Sequence, residues 1–534
     1  MLGLFIQCVS VLSLMGSAVF CAPCPPGAVV GTGNLVPVAG PSDPESDRAV
    51  EEQLDRLRRL LIELRDLEPE LFEEGLLSRQ RSQSGGDGSM DDLAAKLGKE
   101  VSLFERAVLS IEKAAAAPEA SETGPVMTVE RDLPGSPVRY SVALPEDGHV
   151  DNWSIEIANI GDVPLVAPSL LANGRRNWQD IDSVLHEAVG DSSNETEQAM
   201  SLWKFLVENR YHSDPAHDRA ENHDPVRMLN IYGYGFCDDS ATVYVAMAKA
   251  LGLEARVWGL SGHVVPEVYF EGGWHLLDPD GEVYYRSRDG RNVASVEELA
   301  DHPELLNVPV LVEGRVKPKY DFATVSPIYS SKENNRVTGR APPTEFHSMD
   351  FTLRPGERIV RSWGNEGHRF ANGYYGVPKR FGNGEWIYDL PLVSAAERPT
   401  VVEFELPYPI LGGTVMIRLA DDARAGQWRM EAKTAMDEWV TLPWADGDST
   451  RPVAGLAEVL NNGFGDPDYG VTLRLTPLAD EPIGRVLSIH TSLAFQLAPA
   501  ALPALEPGEN TLLWNCESPQ GRARVTHRYR ELAP

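Results

Sequence analysis

The sequence predicts a multidomain α+β protein with a helical hairpin near its start, a mixed α+β core and a C-terminal β-sandwich region. Its 534 residues are enough for three or four domains at roughly 100–200 residues each. Apolar residues recur at helical spacing before residue 115, and short alternating stretches separated by Gly, Pro and Asp fill the chain beyond residue 340. Between these regions the pattern changes from helix to strand, which indicates the mixed core.

Two apolar stripes predict the helical hairpin over 47–115. The first stripe has apolar residues four, three, four and three positions apart, as on one face of an amphipathic helix: Val50, Leu54, Leu57, Leu61 and Leu64. A Gly-rich break and a second stripe follow. We therefore expect two antiparallel helices with a packing role.

Alternation of apolar and polar residues predicts two regions of β structure. The segments VRYSVAL and WSIEIANI indicate a small β unit over 125–172. Further alternating segments, bounded by turn residues, indicate one or two β-sandwiches over 340–534. We expect this last region to fold on its own.

Composition and charge exclude several classes of protein. Hydrophobic residues make up 42% of the chain and charged residues 24%, which excludes collagen-like and largely disordered proteins. The 48 Lys and Arg residues against 79 Asp and Glu residues give a net charge of −31. Because nucleic-acid binding depends on clustered Lys and Arg, we expect no nucleic acid among the partners.

The first residues predict export. Met1–Ala22 contains no charged side chain and is mostly apolar, and a Pro/Gly-rich linker follows over 23–46. We interpret 1–22 as a secretory signal peptide, which predicts a secreted or periplasmic protein. No other segment has the roughly 18–20 consecutive apolar residues of a membrane-spanning helix, so we expect no membrane span. The five cysteines are too few and too scattered for a disulfide framework.

One cysteine lies in a setting that suggests chemistry. Cys237 follows Gly235 and opens a helical pattern that ends at Gly252. The sequence thus places the thiol at a helix N-terminus, where the positive end of the helix dipole favours a thiolate. Asp238 and Asp239 in the same turn oppose this effect, so the thiolate needs a partner cation.

His263 and Asp278 are the candidates for that partner and its support. Two predicted strands follow the helix, and a Gly-Gly turn leads into a third. His263 lies at the start of the second strand and Asp278 at the end of the third, so adjacent antiparallel strands can bring both side chains to one edge. A Cys–His–Asp row provides a nucleophile, a base that pairs with it as imidazolium, and a carboxylate that orients the base.

Four sequence blocks surround these residues in order: Gly235-Phe-Cys237 with Ala241, LGLEAR ending at Arg256, His263 with Glu267, and Trp274 with Asp278. In this order they resemble the transglutaminase-like superfamily of bacterial exported proteins. The resemblance covers 177–325 and implies a papain-like α+β catalytic domain.

This resemblance also implies roles for individual residues. Cys237 would be the nucleophile, His263 the base and Asp278 its orienting partner, in a reaction that moves an acyl group from an amide to water or to an amine. Val264 and Val265 stand where the family often has an aromatic residue, so the wall of the cleft beside the base differs.

Basic and aromatic residues cluster around these blocks. Five of the twelve histidines fall between 212 and 275, beside arginines and tyrosines, and such a cluster could bind an acidic sugar and abstract its proton. The candidate substrate-binding residues are Tyr232, Tyr234, Arg256, His223, His275 and Trp274. The spacing His212-x4-His217-x5-His223 fits no helical pair of metal ligands, so we expect no metal and no cofactor.

Three functions compete on the sequence alone. The first is a secreted transglutaminase-like cysteine enzyme that hydrolyses or transfers an amide, and the three residues Cys237, His263 and Asp278 favour it. The second is a polysaccharide-active enzyme, for example a lyase on an acidic glycan, with His263 and a tyrosine as acid–base groups. The C-terminal region resembles β-sandwiches of secreted glycan-processing enzymes, which leaves open a third, non-catalytic carbohydrate-binding or surface protein. The expected partner is an extracellular or cell-surface polymer, either a peptide or a polysaccharide.

Overall fold

The computed structural model describes residues 125–532 except 177, 214–219, 340–341, 365–381, 392–398, 421–422, 435–437, 446–449, 457–458, 461–466 and 479–484. The signal peptide, linker and helical hairpin predicted for 1–22, 23–46 and 47–115 lie outside the described residues. All described residues belong to one compact unit. They contain no helix that is long and apolar enough to cross a membrane.

The first part of this unit contains five strands and two helices. The strands are β1 (Val126–Pro134), β2 (Val138–Ala143), β3 (His149–Asn159), β4 (Leu165–Val166) and β5 (Ser169–Ala172). The helices are α1 (Ile181–Val189) and α2 (Glu195–Asn209). Both begin at a capping side chain, because Asp180 accepts a hydrogen bond from the Ser183 amide and Asn194 accepts one from the Glu197 amide.

The middle part alternates short helices and strands. Its elements are β6 (Tyr211–His212), α3 (Pro225–Arg227), β7 (Tyr234–Gly235), α4 (Cys237–Ala250), β8 (Ala255–Gly259), β9 (Val264–Phe270), β10 (Gly273–Leu276), β11 (Val283–Tyr285), α5 (Val296–Asp301), β12 (Pro309–Leu311), α6 (Phe322–Ser330) and β13 (Arg336–Val337). Two 3₁₀ turns, Ala220–His223 and Pro303–Asn307, and a π-helical turn, Met228–Tyr232, connect them.

Helix α4 confirms the helix predicted to begin at Cys237. The Asp239 carboxylate accepts a hydrogen bond from the Phe236 amide at 2.7 Å, so it satisfies a backbone group at the helix start. At the other end Gly252 takes a φ of +87°, a conformation that glycine adopts at low cost. The Leu253 amide donates to the Ala248 carbonyl at 2.9 Å across that turn, as in common helix C-caps.

Helix α4 packs on an antiparallel sheet with the strand order β10–β9–β8–β13. Val243 and Met247 of the helix share a hydrophobic core with Val257 of β8 and Val268 of β9. Gly259 pairs with Val264 at the end of the β8–β9 ladder. The turn that joins these two strands, with His263 as its last residue, therefore projects from one end of the sheet.

The last part of the chain is β-rich. Its strands are β14 (Thr352–Leu353), β15 (Glu357–Ser362), β16 (Gly382–Pro391), β17 (Thr400–Glu405), β18 (Ile410–Leu419), β19 (Trp428–Lys433), β20 (Val440–Leu442), β21 (Val453–Gly455), β22 (Gly470–Pro477), β23 (Val486–Leu497), β24 (Glu509–Asn515) and β25 (Arg522–Leu532). Alternate buried and exposed residues follow strands such as β17, as the sequence pattern predicts.

Three sheets organise this region. The largest has eight strands in the order β1–β25–β3–β15–β16–β23–β18–β21, a second has the order β17–β22–β19–β20, and a third has the order β2–β24–β5. Their apolar side chains form one continuous hydrophobic core, which includes Ile157 of β3, Phe404 of β17 and Trp514 of β24. The many strands are consistent with the predicted C-terminal β-sandwich.

The strands predicted as a small β unit over 125–172 do not form sheets of their own. Strand β1 pairs with β25, and β3 lies between β25 and β15. Strands β2 and β5 flank β24 in the same way. The sequence pattern identified the segments of β2 and β3, but their partners lie about 200 to 380 positions further along the chain.

Candidate active site

The backbone before Cys237 is fixed by close packing. Strands β6 and β7 form a short parallel pair in which His212 lies opposite Gly235. A Cβ atom on Gly235 would lie 2.8 Å from both the Asn222 side-chain nitrogen and the Asp239 Cβ, so no larger residue fits without movement. Cys237 follows as the first residue of α4, and its free thiol is half-buried.

His263 and Asp278 form a close pair, as the strand layout predicts. The His263 Nε2 atom lies 2.8 Å from the Asp278 Oδ2 atom, and the two side chains are only 10% and 4% exposed. The other oxygen of Asp278, Oδ1, accepts hydrogen bonds from the amides of Asp280 and Gly281 at 3.0 and 2.8 Å. Its backbone carbonyl accepts one from the Trp203 indole at 3.0 Å. Asp278 is therefore held in one orientation, with Oδ2 directed at the imidazole.

The surroundings of His263 favour its charged form. Burial lowers its pKa, but the charge of Asp278 and hydrogen bonds to Asp278 and Cys237 outweigh burial and raise the pKa to about 10. Because Nε2 faces Asp278, Nδ1 is the ring nitrogen that is left for a second partner. A charged imidazole is the kind of partner cation that the two acidic residues of the first helical turn require.

A second buried carboxylate lies two residues beyond Asp278. Asp280 contacts Arg210 Nη2 at 3.0 Å and His212 Nδ1 at 2.8 Å, and its backbone carbonyl accepts a hydrogen bond from Lys319 Nζ at 2.8 Å. Burial opposes ionisation, but the hydrogen bond from His212 and the charges of Arg210 and Lys319 hold the pKa of Asp280 well below its usual value. The sequence analysis missed Asp280 and Lys319. The only local signal was the Asp-Pro-Asp-Gly turn, because the three basic partners lie 39 to 70 positions away.

A cavity of about 220 Å³ lies beside the His263–Asp278 pair. Its wall is mainly aromatic and aliphatic and includes Tyr285, Tyr320 and Tyr329. The Tyr320 ring meets the His263 ring edge-on, with the ring centroids 6.4 Å apart. The wall beside His263 thus has an aromatic residue, but Tyr320 supplies it from a distant part of the chain.

Three of the candidate substrate-binding residues lie in the protein core, which corrects their assignment. Tyr232 and Tyr234 have no exposed surface and pack edge to face, with ring centroids 5.9 Å apart. His275 is 6% exposed, and its ring nitrogens face the carbonyls of Val293 and Phe270 at 2.6 and 3.1 Å. These side chains have a packing function, because none of them presents a surface to a substrate.

Arg256 and Trp274 form part of a supporting cluster. The Arg256 guanidinium lies 3.9 Å from the Trp274 ring centroid and donates to the buried carboxylate of Glu267 at 2.7 Å. Glu267 also accepts from the Val296 amide at 2.7 Å and from the Trp258 indole, so it joins β8 and β9 to the start of α5. These contacts explain the Arg and Glu of the sequence blocks as supports of the sheet that carries His263.

His223 contributes to the other side of the helix start. Its Nε2 atom lies 3.3 Å from the Asp239 Oδ1 atom, and side-chain atoms of His223, Asp238 and Asp239 that could bind a metal lie within 4.8 Å of one another. Among the described residues, this is the group of three acidic or histidine side chains that lie close enough together to hold a cation. Asp239 already caps α4 and pairs with His223, which accounts for its position without an ion. His217, the middle histidine of the predicted cluster, lies outside the described residues.

Three comparisons with known proteins bear on this region of the chain. No significant match is found among curated proteins. Among solved structures, the chain is similar to the VP2 subviral particle of infectious bursal disease virus at 8% identity and a TM-score of 0.14, over 77% of this chain and 81% of that chain. A similarity with so low a TM-score carries no argument. A comparison with protein families matches residues 182–279, which span α1 to the Asp278 turn. The matching family model is that of the transglutaminase-like superfamily, so these residues are similar to the domains of that superfamily.

Proposed function

We propose that this domain is a cysteine enzyme that moves an acyl group from an amide to water or to an amine. Cys237 is the nucleophile, His263 the base and Asp278 the residue that orients it. The observation that carries the proposal is the buried 2.8 Å contact of His263 with Asp278. The neighbouring Cys237 side chain also contributes to the raised pKa of His263. The position of Cys237 at the start of a 14-residue helix adds the dipole that favours a thiolate.

The arrangement supports a two-step reaction. The Cys237 thiolate attacks the amide carbonyl carbon, the carbon–nitrogen bond breaks, and the His263 imidazolium gives its proton to the leaving amine. The acyl group is then a thioester on Cys237. Neutral His263 next takes a proton from water or from a second amine, which attacks the thioester and restores the thiolate and imidazolium. Asp278 keeps the His263 ring in place in both its charged and its neutral form.

The lyase alternative has one supporting observation, the Tyr320 ring beside His263. It requires His263 to be an unprotonated base, yet the pKa of His263 near 10 keeps the ring charged at neutral pH. Burial also raises the pKa of Tyr320 well above its usual value, so its hydroxyl stays protonated at neutral pH and cannot accept a proton from the sugar. The thiol mechanism uses the charged imidazole as it stands, and for this reason we prefer it.

A carbohydrate-binding role for the β-rich region has a separate basis. A groove of about 1,010 Å³ lies in this region, and its wall includes the half-buried Phe351 and Tyr469 together with the exposed Glu403 and Glu405. Aromatic faces and carboxylates are suited to sugar rings and their hydroxyl groups. Retention of the protein on a polysaccharide gel, lost on Phe351→Ala, would support this role. Elution in the void volume from a broad set of glycans would contradict it.

We further propose that the enzyme works outside the cytoplasm on a peptide or polysaccharide polymer. The apolar, uncharged Met1–Ala22 segment supports export. Fusion of these residues to a reporter that is active only after export tests this proposal directly. A reporter that stays in the cytoplasm would contradict it.

Selective alkylation tests the thiol mechanism without knowledge of the substrate. Iodoacetamide should modify Cys237 rapidly at pH 6, where an ordinary thiol with a pKa near 8.5 is ionised to only about one part in 300. Mass spectrometry of the Cys237 peptide gives the rate. Cys516, the other free cysteine among the described residues, provides the internal comparison.

A substrate screen against peptides, amines and acidic glycans completes the test. Cys237→Ala and Cys237→Ser should both abolish turnover, and a Cys516→Ala control should retain it. Unsaturated sugar products formed by an alkylated enzyme would refute acyl transfer and favour the lyase.

A further inference from the structure

We propose that Arg210 and Asp280 are positioning residues that tie the backbone before Cys237 to the turn that holds Asp278. In this way they set the separation between the thiol and the imidazole. The inference rests on the proposed function, because it takes Cys237 and His263 as the reacting pair. Both residues act through other groups.

Arg210 is attached to the backbone before the nucleophile. It directly follows α2 and precedes β6. The amides of Tyr211 in this strand and of Ser213 just after it donate to the carbonyls of Gly233 and Gly235 at 3.1 and 3.2 Å. The guanidinium Nη1 donates to the same Gly235 carbonyl at 3.4 Å. Gly235 lies two residues before Cys237, so a shift of the guanidinium moves the backbone that starts α4.

The same guanidinium is attached to the turn after Asp278. Its Nη2 donates to the Pro279 carbonyl at 2.8 Å and to the Asp280 Oδ1 atom at 3.0 Å. The amides of Asp280 and Gly281 in turn hold the Asp278 carboxylate. One planar side chain therefore bonds to both segments that carry the proposed catalytic residues.

Asp280 also contacts His212 and Lys319, which add to the connection that Arg210 makes. His212 lies opposite Gly235 in the β6–β7 pair and contacts the Asp280 carboxylate at 2.8 Å, so it repeats the connection that Arg210 makes. Lys319 donates to the Asp280 carbonyl at 2.8 Å and lies 5.1 Å from the centroid of the Tyr320 ring beside His263. Asp280 thus links the segment before Cys237, the turn after Asp278 and the wall of the cavity beside His263.

A contribution to fold stability alone is a weak explanation for the Arg210–Asp280 ion pair, because both side chains are buried. The Arg210 and Asp280 side chains are each 1% exposed, and desolvation offsets much of the attraction between two buried charges. Apolar residues of similar volume often stabilise a fold equally well. What apolar residues cannot do is bond to two separate backbone segments in a fixed geometry, and a guanidinium does this through its rigid fork of donors.

Arg210→Lys is the informative substitution, because it keeps the charge and loses the fork. The readout is the rate of Cys237 alkylation by iodoacetamide as a function of pH, followed on the Cys237 peptide by mass spectrometry. With the imidazolium misplaced, the inflection should move to higher pH and the rate at pH 6 should fall about tenfold or more, toward that of an ordinary thiol. Arg474→Lys is the matched control, because Arg474 pairs with the buried Glu431 at 2.9 Å in the β-rich region.

Asp280→Asn separates geometry from charge. Loss of a negative charge near the thiolate would by itself move the inflection to lower pH, whereas loss of the connection moves it to higher pH. We expect the shift to higher pH. Added salt should not restore the wild-type profile in either variant. Melting temperatures of all variants show separately how much the fold is weakened.

The outcomes distinguish this inference from the proposed function. A wild-type inflection near pH 8.5 would overturn the proposed function and this inference with it. A low wild-type inflection that Arg210→Lys leaves unchanged, even with a lower melting temperature, would overturn the positioning role alone. A shift to lower pH in Asp280→Asn would also overturn it and assign Asp280 a purely electrostatic effect.

Discussion

At the scale of single residues, the orientation of Asp278 depends on the absence of a side chain at Gly281. A Cβ atom on Gly281 would lie 2.4 Å from Asp278 Oδ2, the oxygen that faces His263. No carboxylate tolerates so close a carbon. A methyl group at this position therefore acts directly on the contact that orients the base.

Gly281→Ala should reduce turnover by about 100-fold or more, because loss of a correctly placed orienting carboxylate costs a Cys–His or Ser–His enzyme several orders of magnitude. The measurement is kcat on the substrate identified in the screen, or the Cys237 alkylation rate at pH 6. Gly339→Ala serves as control, since a Cβ there meets no atom within 4 Å. Wild-type rates in Gly281→Ala would show that the Asp278 contact is dispensable.

The raised pKa of His263 predicts how stability depends on pH. The charged ring stabilises the fold fully below its unfolded pKa of about 6.5, and this contribution is lost as the pH rises through the folded value of about 10. Asp278→Asn removes the charge that raises the pKa. The difference in unfolding free energy between wild type and Asp278→Asn should therefore be largest near pH 6 and shrink by about 1–3 kcal/mol toward pH 10. Urea unfolding at pH 6, 8 and 10 measures it, and a difference that stays constant would contradict the assignment.

Sequence reasoning at this scale succeeded where local pattern determines the position of a residue. A glycine before Cys237 and a helical pattern after it are enough to predict the helix start. Tyr232 and Tyr234 were misassigned because an aromatic residue near a cysteine has the same sequence signal whether it faces the core or the cleft. Asp280 escaped notice because its partners, Arg210 and Lys319, lie 70 and 39 positions away.

At the scale of elements, Asp224 connects the domain that carries Cys237 to the chain that leads into the β-rich region. Its Oδ1 atom caps α3 by accepting from the Val226 and Arg227 amides at 2.8 and 3.1 Å. Its Oδ2 atom accepts from the His347 amide at 2.6 Å. One buried carboxylate thus satisfies backbone donors on both sides of the connection.

Asp224→Ala should destabilise the protein by about 1–3 kcal/mol, through the lost cap and the unpaired buried amides. Because the side-chain hydrogen bonds of Asp224 go to α3 and to His347 and not to Cys237 or His263, the alkylation profile of Cys237 should keep its inflection. Denaturant unfolding gives the first quantity and mass spectrometry the second. Asp350→Ala, an exposed acidic residue on the same connecting segment, should change neither.

Helix α4 shows how much of a secondary-structure element can be predicted from its own sequence. The spacing of apolar residues, the glycine after its last turn and the small residues before Cys237 predict both of its ends. The strands were equally visible from alternation, but alternation determines which face of a strand is buried and leaves its neighbour open. For this reason the segments of β2 and β3 were predicted as part of a small β unit over 125–172, whereas they pair with β24, β25 and β15.

At the scale of the whole molecule, the eight-stranded sheet joins distant parts of the chain. Strand β3 lies between β25 and β15, and both of these come from the predicted C-terminal region. The boundary drawn at residue 340 therefore passes through a continuous sheet. Because of this architecture we now expect that 340–534 does not fold on its own.

A fragment of 340–534 should lack a cooperative unfolding transition, because without β3 the strands β25 and β15 lose their common partner. A fragment of 125–534 contains all strands of the three sheets and should unfold cooperatively. Circular dichroism during thermal unfolding compares the two. A strand-rich spectrum with a sharp transition in the shorter fragment would show that the region is independent.

The position of β25 between β1 and β3 also sets the time at which this sheet can form. Asp132 and Arg524, which pair across β1 and β25, are 392 positions apart. A ribosome that adds about 5–20 residues per second needs roughly 20–80 seconds to make the intervening chain, and during that time β1 and β3 have no partner between them. The β-rich region therefore closes only after residue 532 has been synthesised, and until then two unpaired strand edges need protection from aggregation.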